Sequence, residues 1–267
     1  MKKSLPLLPK KKREGMGGKE NDDVFERFRK SFNKIDGHFH VLEQRVPVEL
    51  QMEYFKYSER MRRDKKVMTE EDFNIYKQSL SDSNVTADSK KYALLALAIS
   101  HDVRAYRVLE EYVQHPDTDV TNWAYMALME SRISLESELS DKKQIYISTG
   151  LGGKGEKLRF YALFLASEYK PFENYQRQVV EREFAYYLEK EDCEIERLTI
   201  SDVYVELLFL TPVRADIKTT LDNVITECNQ YGNFLSGILT VTNVKELSAE
   251  EIAEAIEKRY GGNKAGY

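Results

Sequence analysis

Apolar positions recur at intervals of three and four through the first half of the chain and give way to alternation after Ser140. Those periods are the signatures of amphipathic helices and of half-buried strands. Phe25, Phe28 and Phe32 predict a short helix from Asp23, ended by Gly37. Pro47 precedes a stronger helix, roughly residues 48–63, striped by Leu50, Tyr54 and Tyr57. Thr69-Glu70-Glu71-Asp72 has the form of a capping box, in which a hydroxyl and an acid three residues later satisfy free N–H groups. It opens a helix with Phe73, Tyr76 and Leu80 on its apolar side, and a further helix, about 101–114, carries Val103, Tyr106, Leu109 and Val113 on one face. Beyond Ser140, Gln144 to Thr149 and Lys157 to Ala166 read as strands, and the glycine run Gly150 to Gly155 between them as a flexible hairpin connection. A helix follows from about Glu173 to Lys190, then strands over 193–200 and 202–210, a helix from about Arg214 to Tyr231 and a strand from Gly237 to Val244. Ser248 and Glu251 cap a final helix that Gly261 stops.

Two segments align at an offset of 31 residues, Lys91 to Leu97 with Asn122 to Leu128, matching Ala93 to Ala124, Ala96 to Ala127 and Leu97 to Leu128. Small residues at i and i+3 let one helix lie close on its neighbour, and Pro116-Asp117-Thr118-Asp119 supplies a turn and an N-cap between the copies. The pattern over about residues 86–140 resembles HEAT-type repeats, although Val120-Thr121-Asn122 stands where such repeats commonly carry an Arg. The resemblance implies stacked helix pairs with an extended surface for a partner protein. It makes Arg104, Trp123 and Tyr125 the candidate contacts on that surface. From residue 157 the order strand, helix, strand, strand, helix, strand is similar to that of ferredoxin-like domains. The expected fold class is therefore α+β, a HEAT-like helical region followed by a ferredoxin-like antiparallel sheet with helices. The expected division is a disordered basic tail over 1–22, the helical region over 23–140, the sheet domain over 141–247, and a C-terminal helix and tail over 248–267.

Composition fits a globular chain, with 42% hydrophobic and 32% charged residues. The longest apolar run, Val203 to Leu210, is broken by Glu206 and falls far short of the roughly 18 residues that span a bilayer. Lys2 and Lys3 before Leu5 to Leu8 faintly resemble a secretion signal, but two prolines interrupt the apolar stretch and it ends in Lys10, Lys11, Lys12 and Arg13. Cys193 and Cys228 are too few for a disulfide framework and suit a reducing, cytoplasmic compartment. The net charge is −5, yet residues 1–13 hold six basic side chains and no acid, an asymmetry that can steer the tail to nucleic acid.

Candidate chemistry is thin. The glycines precede an apparent strand and Lys154 lacks a following Ser or Thr, so the run lacks the form of a phosphate loop; Gly152, Gly153 and Lys154 stay as contact candidates on a loop. Ile145-Tyr146-Ile147 faintly resembles one motif of RNA-recognition domains, but the spacing and the second motif are missing, leaving only stacking by Tyr146 or Tyr161. His38 and His40, with Asp36, can share a strand face but have no further metal ligand nearby. His101 and His115 fall at helix ends, and carboxylate pairs such as Glu110-Glu111 read as solvated faces. No catalytic motif, metal set or cofactor is implied. The resulting expectation is a non-enzymatic scaffold that binds a partner protein through a helical-repeat surface. The alternative is a nucleic-acid-associated factor using the basic tail and glycine hairpin, and a second is a small-molecule enzyme with its pocket between the two halves.

Overall fold

The computed structural model describes residues 38–64, 67–140 and 144–260. The helix expected after Asp23, the basic tail with Lys10 to Arg13, Asp36, and the stop at Gly261 lie outside them. The chain mixes helix and sheet, as α+β requires, and divides into two compact units, one spanning Asp36–Gly155 and one containing Glu156–Tyr267.

The first unit holds strand β1 (His38–Val41), helices α1 (Val48–Arg63), α2 (Glu70–Ser81), α3 (Ala87–Ala98), α4 (Val103–Tyr112) and α5 (Thr121–Leu139), and strand β2 (Gln144–Ile147). Local chemistry starts these helices where the sequence says it should. Pro47 stands immediately before α1, where its missing N–H costs nothing. Thr69 and Asp72 close the capping box of α2, each accepting from the other's backbone N–H at 3.1 Å. Helix α3 is buried without a break from Ala93 to Ala98, the mark of a central helix packed on several sides. It meets α2, α4 and α5. Ala93, Ala96, Ala124 and Ala127 are all buried, and α3 and α5 pack on each other.

That packing corrects the repeat reading. Solenoid repeats touch only their neighbours and propagate. Here Leu42, Val46, Tyr54 and Phe73, all from outside residues 86–140, complete the same core as α3 and α5, so the core closes on itself. The 31-residue similarity is that of two helices sharing one interior. On α4 the buried positions are Ala105 and Leu109, while Val103 is 59% exposed, so the expected stripe is rotated.

The pairing expected of Gln144 to Thr149 is corrected too. Strand β2 pairs in parallel with β1, His38 opposite Gln144 through Val41 opposite Ile147, although the two lie more than 100 residues apart in sequence. The glycine run turns the chain beneath this pair: Gly153 N–H donates to the Glu43 carbonyl at 3.3 Å and Thr149 Oγ1 to the Gly152 carbonyl at 3.1 Å.

One carboxylate ties α1 to α5. Glu130 accepts from Tyr54 Oη at 2.7 Å, Ser58 Oγ at 2.6 Å, and Arg62 Nη2 and Nε at 2.6 and 3.1 Å. Tyr54 is fully buried and packs edge-on to Trp123 at 5.2 Å.

A short β3 (Gly153–Lys154) closes the first unit, and the second holds β4 (Lys157–Ala166), α6 (Asn174–Lys190), β5 (Glu194–Ile200), β6 (Tyr204–Pro212), α7 (Ile217–Asn229), β7 (Leu235–Thr242) and α8 (Ala249–Tyr260). The long strands lie in the order β7-β4-β6-β5, every pair antiparallel. Helices α6 and α7 pack together, and Phe184 of α6 meets Phe164 of β4 edge-on at 5.0 Å. The middle strand β4 is buried from Phe160 to Ala166, so it is covered on both faces. There Tyr161 Oη donates to Glu206 at 2.9 Å.

Burial raises the pKa of Tyr54 and Tyr161, and the neighbouring carboxylates Glu130 and Glu206 raise it further. Each phenol thus ionises later folded than unfolded. Its contribution is full below the ordinary tyrosine value near ~10 and is lost as pH rises from there through the folded values. Urea-denaturation midpoints should fall as pH passes about 10, and less so in Tyr54→Phe. Glu130→Ala leaves two buried hydroxyls and a guanidinium without their acceptor and should cost about 2–4 kcal/mol in the same measurement. Arg132→Ala, which removes a surface pair, should cost about 0–1 kcal/mol.

Candidate functional site

The sequence-derived candidates do not converge. Arg104 binds Glu70 at 2.7 Å and Asp102 at 2.7 Å and lies over the Phe73 ring at 4.9 Å, so it fastens α4 to α2. Its hydrogen bonds hold both carboxylates below their usual range. Trp123 is only 4% exposed, and Tyr125 is half-buried against the same core. Of the loop candidates, Gly152 and Gly153 are buried and Lys154 is exposed. The N–H groups of Gly152, Gly153 and Gly155 go to Thr149 O, Glu43 O and Glu43 Oε1, so the turn does not offer them to a phosphate. Gly152 and Gly153 are packed within the turn, whereas Lys154, Gly155 and Glu156 form an exposed tip.

The remaining candidates have structural partners. Nε2 of His40 lies 2.6 Å from Gln144 Oε1 and 3.0 Å from Glu136 Oε2, while Nδ1 of His101 lies 2.5 Å from Glu138 Oε1. No group of three metal-ligating side chains occurs among the described residues. Glu110 accepts from Tyr106 and Arg107, which lowers its pKa. Cys193 and Cys228 are buried, and burial pushes the Cys228 thiol up to about 12, far from a reactive thiolate. Tyr161 is fully buried, and the half-buried Tyr146 packs on Phe55 with its hydroxyl toward Met126.

A site the sequence reading missed lies inside the helical unit. The later turns of α1, the start of α2, helix α3, the turn before α4 and the start of α5 line an open cavity of about 880 Å³. Leu95, Ala96 and Ile99 supply apolar wall, and Trp123 lines it with Tyr57 edge-on at 5.7 Å and Lys91 Nζ 5.1 Å from its ring centre. Tyr57 and Tyr92 are half exposed, at 50% and 49%. Tyr92 meets Tyr76 edge-on at 5.8 Å. Arg60 and Arg62 stand on the α1 side. Arg62 belongs to the Glu130 clamp, whereas Arg60 is exposed with no ion pair among the described residues. The Trp123 indole N–H is buried and has no acceptor among the described residues.

A signal for this site was present. Residues 60–66, Arg-Met-Arg-Arg-Asp-Lys-Lys, place five cations among seven residues, denser than the N-terminal tail. Cations at the end of a helix are ordinary complements to its dipole, which disguises the run.

No protein-family model matches the chain. No curated protein matches it either. Among solved structures, it is similar to a putative transposase from Deinococcus radiodurans, at 15% identity over 42% of this chain and 95% of that one, with a TM-score of 0.31. It is also similar to a REP-associated tyrosine transposase bound to a REP hairpin, at 13% identity over 48% of this chain and 74% of that one, with a TM-score of 0.30. The HEAT resemblance is corrected by the packing of the first unit, whose core closes on itself, and the partner-protein scaffold built on that resemblance is corrected with it. No helix among the described residues is long and apolar enough to cross a membrane.

Gly152 tests the packed turn. It adopts φ +68°, and an added Cβ would sit 2.4 Å from the Glu43 carbonyl oxygen, so Gly152→Ala should lower stability by about 2 kcal/mol or more in thermal melts. Gly155, at φ +59° with open space around it, should lose only about 1 kcal/mol on the same change.

Proposed function

We propose that the protein is a nucleic-acid-associated factor that makes its contacts through the cationic run at the end of α1, the aromatic cavity beside it and the basic tail. The observation that carries this reading is the coincidence of the cationic run and the aromatic cavity at one end of α1. Arg60 and Arg63 stand in its last turn, Lys65 and Lys66 follow in sequence, and the half-exposed rings of Tyr57 and Tyr92 flank the cavity. Cations that neutralise phosphates give affinity, and aromatic faces hold unpaired bases with little regard to sequence. The tail adds six cations that can follow a backbone.

The sheet unit is a weaker candidate for the contact. Lys157 is held by Asp192 and Glu194, Arg159 by Glu196 and Arg197 by Glu246, so cations along its strands are already neutralised. We read this unit as a ferredoxin-like platform. Support comes from its strand, helix, strand, strand, helix, strand order and the antiparallel neighbours β7-β4-β6-β5. Two free, buried cysteines support a reducing, cytoplasmic setting.

The test is fluorescence anisotropy with labelled single-stranded and duplex probes over a salt series. Each lost phosphate contact reduces the slope of log affinity against log salt by about 0.9 for duplex and about 0.7 for single strands. Replacing Arg60, Lys65 and Lys66 by Gln should lower the slope by about 2, and deleting residues 1–13 should lower it independently. Affinity and slope unchanged by both alterations would remove the reading.

A further inference from the structure

The cavity beside the cationic run is not built for phosphates alone. Glu53, Asp64 and Asp88 also line it, and none has an ion pair or side-chain hydrogen bond among the described residues. Asp102 and Asp72, which line it as well, are engaged by Arg104 and by the Thr69 cap. Free carboxylates repel a phosphate chain, so a surface that only tracked the backbone would lack them. They do accept hydrogen bonds from hydroxyls, and an acid that takes the sugar hydroxyls of a nucleotide is a recurrent solution. The 2′-hydroxyl is also the group that distinguishes a ribose from a deoxyribose.

Two further observations point to a planar ligand. The Trp123 ring forms part of the wall, with Lys91 Nζ 5.1 Å from its centre, and gives the cavity a flat apolar surface. The half-exposed rings of Tyr57 and Tyr92 offer faces on which a base can stack. The volume, about 880 Å³, lies within the range of small-molecule pockets.

Resting on the nucleic-acid reading above, we infer that this cavity is a ribonucleotide site. The unpaired base lies against Tyr57 or Tyr92, the ribose hydroxyls donate to the free carboxylates, and the phosphate meets Arg60 or Lys91. The ligand is either a free mononucleotide or an unpaired nucleotide in an RNA strand, since both present this chemistry.

Trp123 is the only tryptophan of the chain, so its fluorescence reports the cavity directly. The full-length protein is titrated with the four 5′-ribonucleoside monophosphates, their 2′-deoxy counterparts, spermidine, and single-stranded RNA and DNA oligomers. Quenching is expected with at least one ribonucleotide, with the deoxy counterpart bound about 5–10-fold more weakly for loss of one hydrogen bond. Asp88→Asn should narrow that ratio, and Tyr57→Ala or Tyr92→Ala should weaken both forms. Stronger binding of mononucleotide identifies a free ligand, and stronger binding of oligomer a strand; either supports the site. Equal response to ribo and deoxy forms, response to spermidine alone, or no response overturns it. Salt-dependent strand binding with a silent Trp123 sinks this inference and leaves the proposed function standing. Mononucleotide binding without strand binding does the reverse.

Discussion

The helical unit depends on a single carboxylate. Glu130 lies near the middle of α5 and accepts four hydrogen bonds from Tyr54, Ser58 and Arg62 of α1. Its side chain is 14% exposed, so its charge resides in a setting where an unpaired carboxylate would be costly and a fully paired one fixes geometry. The three donors recur every four residues along one stripe of α1, so pairing them with one acceptor sets both the rotation and the height of α1 against α5. Tyr54 then meets Trp123, and the rest of the core assembles against that contact. A second charged lock acts near the start of α3. Lys90 is 4% exposed and donates to Asp117 at 2.7 Å, while Tyr112 donates to the same carboxylate at 2.5 Å. The aspartate expected to cap the turn is instead the partner of a buried lysine.

Local chemistry was legible in the sequence, and long-range pairing was not. The capping boxes at Thr69 and Ser248, the helix behind Pro47 and the element order of the sheet unit all follow from periods and caps that act within a few residues. The partner of Gln144 to Ile147 had to be chosen between a nearby strand and a distant one, and alternation cannot choose. The glycine run shows the same limit. Glycines predict a turn equally well in solvent and in a packed crossing, and only the carbonyls of Glu43 and Gln44 against Gly152 decide which it is. The alanine pairs were read as two copies of a module because a close helix contact selects small residues on both partners, and so imitates a repeat.

The candidate site was hidden for a related reason. Its residues come from four helices, and each has a sufficient local role. Tyr57 extends the apolar stripe of α1, Tyr92 sits in the α3 segment, and Arg60, Arg62 and Arg63 complement a helix dipole. The repeat alignment places Trp123 on a surface, whereas the fold holds it 4% exposed at the edge of the core. What separates a site from a stripe is the residue left over once packing is satisfied. Here that remainder is two half-exposed tyrosines and unpaired charges of both signs around one cavity.

Scaffold and site share helix α1, and the sharing decides which cation is available. Arg62 is drawn inward by Glu130, so it supports the fold and its charge is offset. Arg63 pairs with Glu59 four residues back, on a surface where such a pair contributes little and exchanges readily with solvent. Arg60 keeps its charge free beside the cavity. The clamp therefore does two things at once: it orients α1 so that Tyr57 reaches the Trp123 ring, and it removes one of the two arginines on that wall from the charge seen by a ligand. With Arg62 neutralised, Arg60 and Lys91 face Glu53, Asp64 and Asp88, a mixed field suited to a ligand with both an anionic group and hydroxyl donors and poorly suited to a bare run of phosphates.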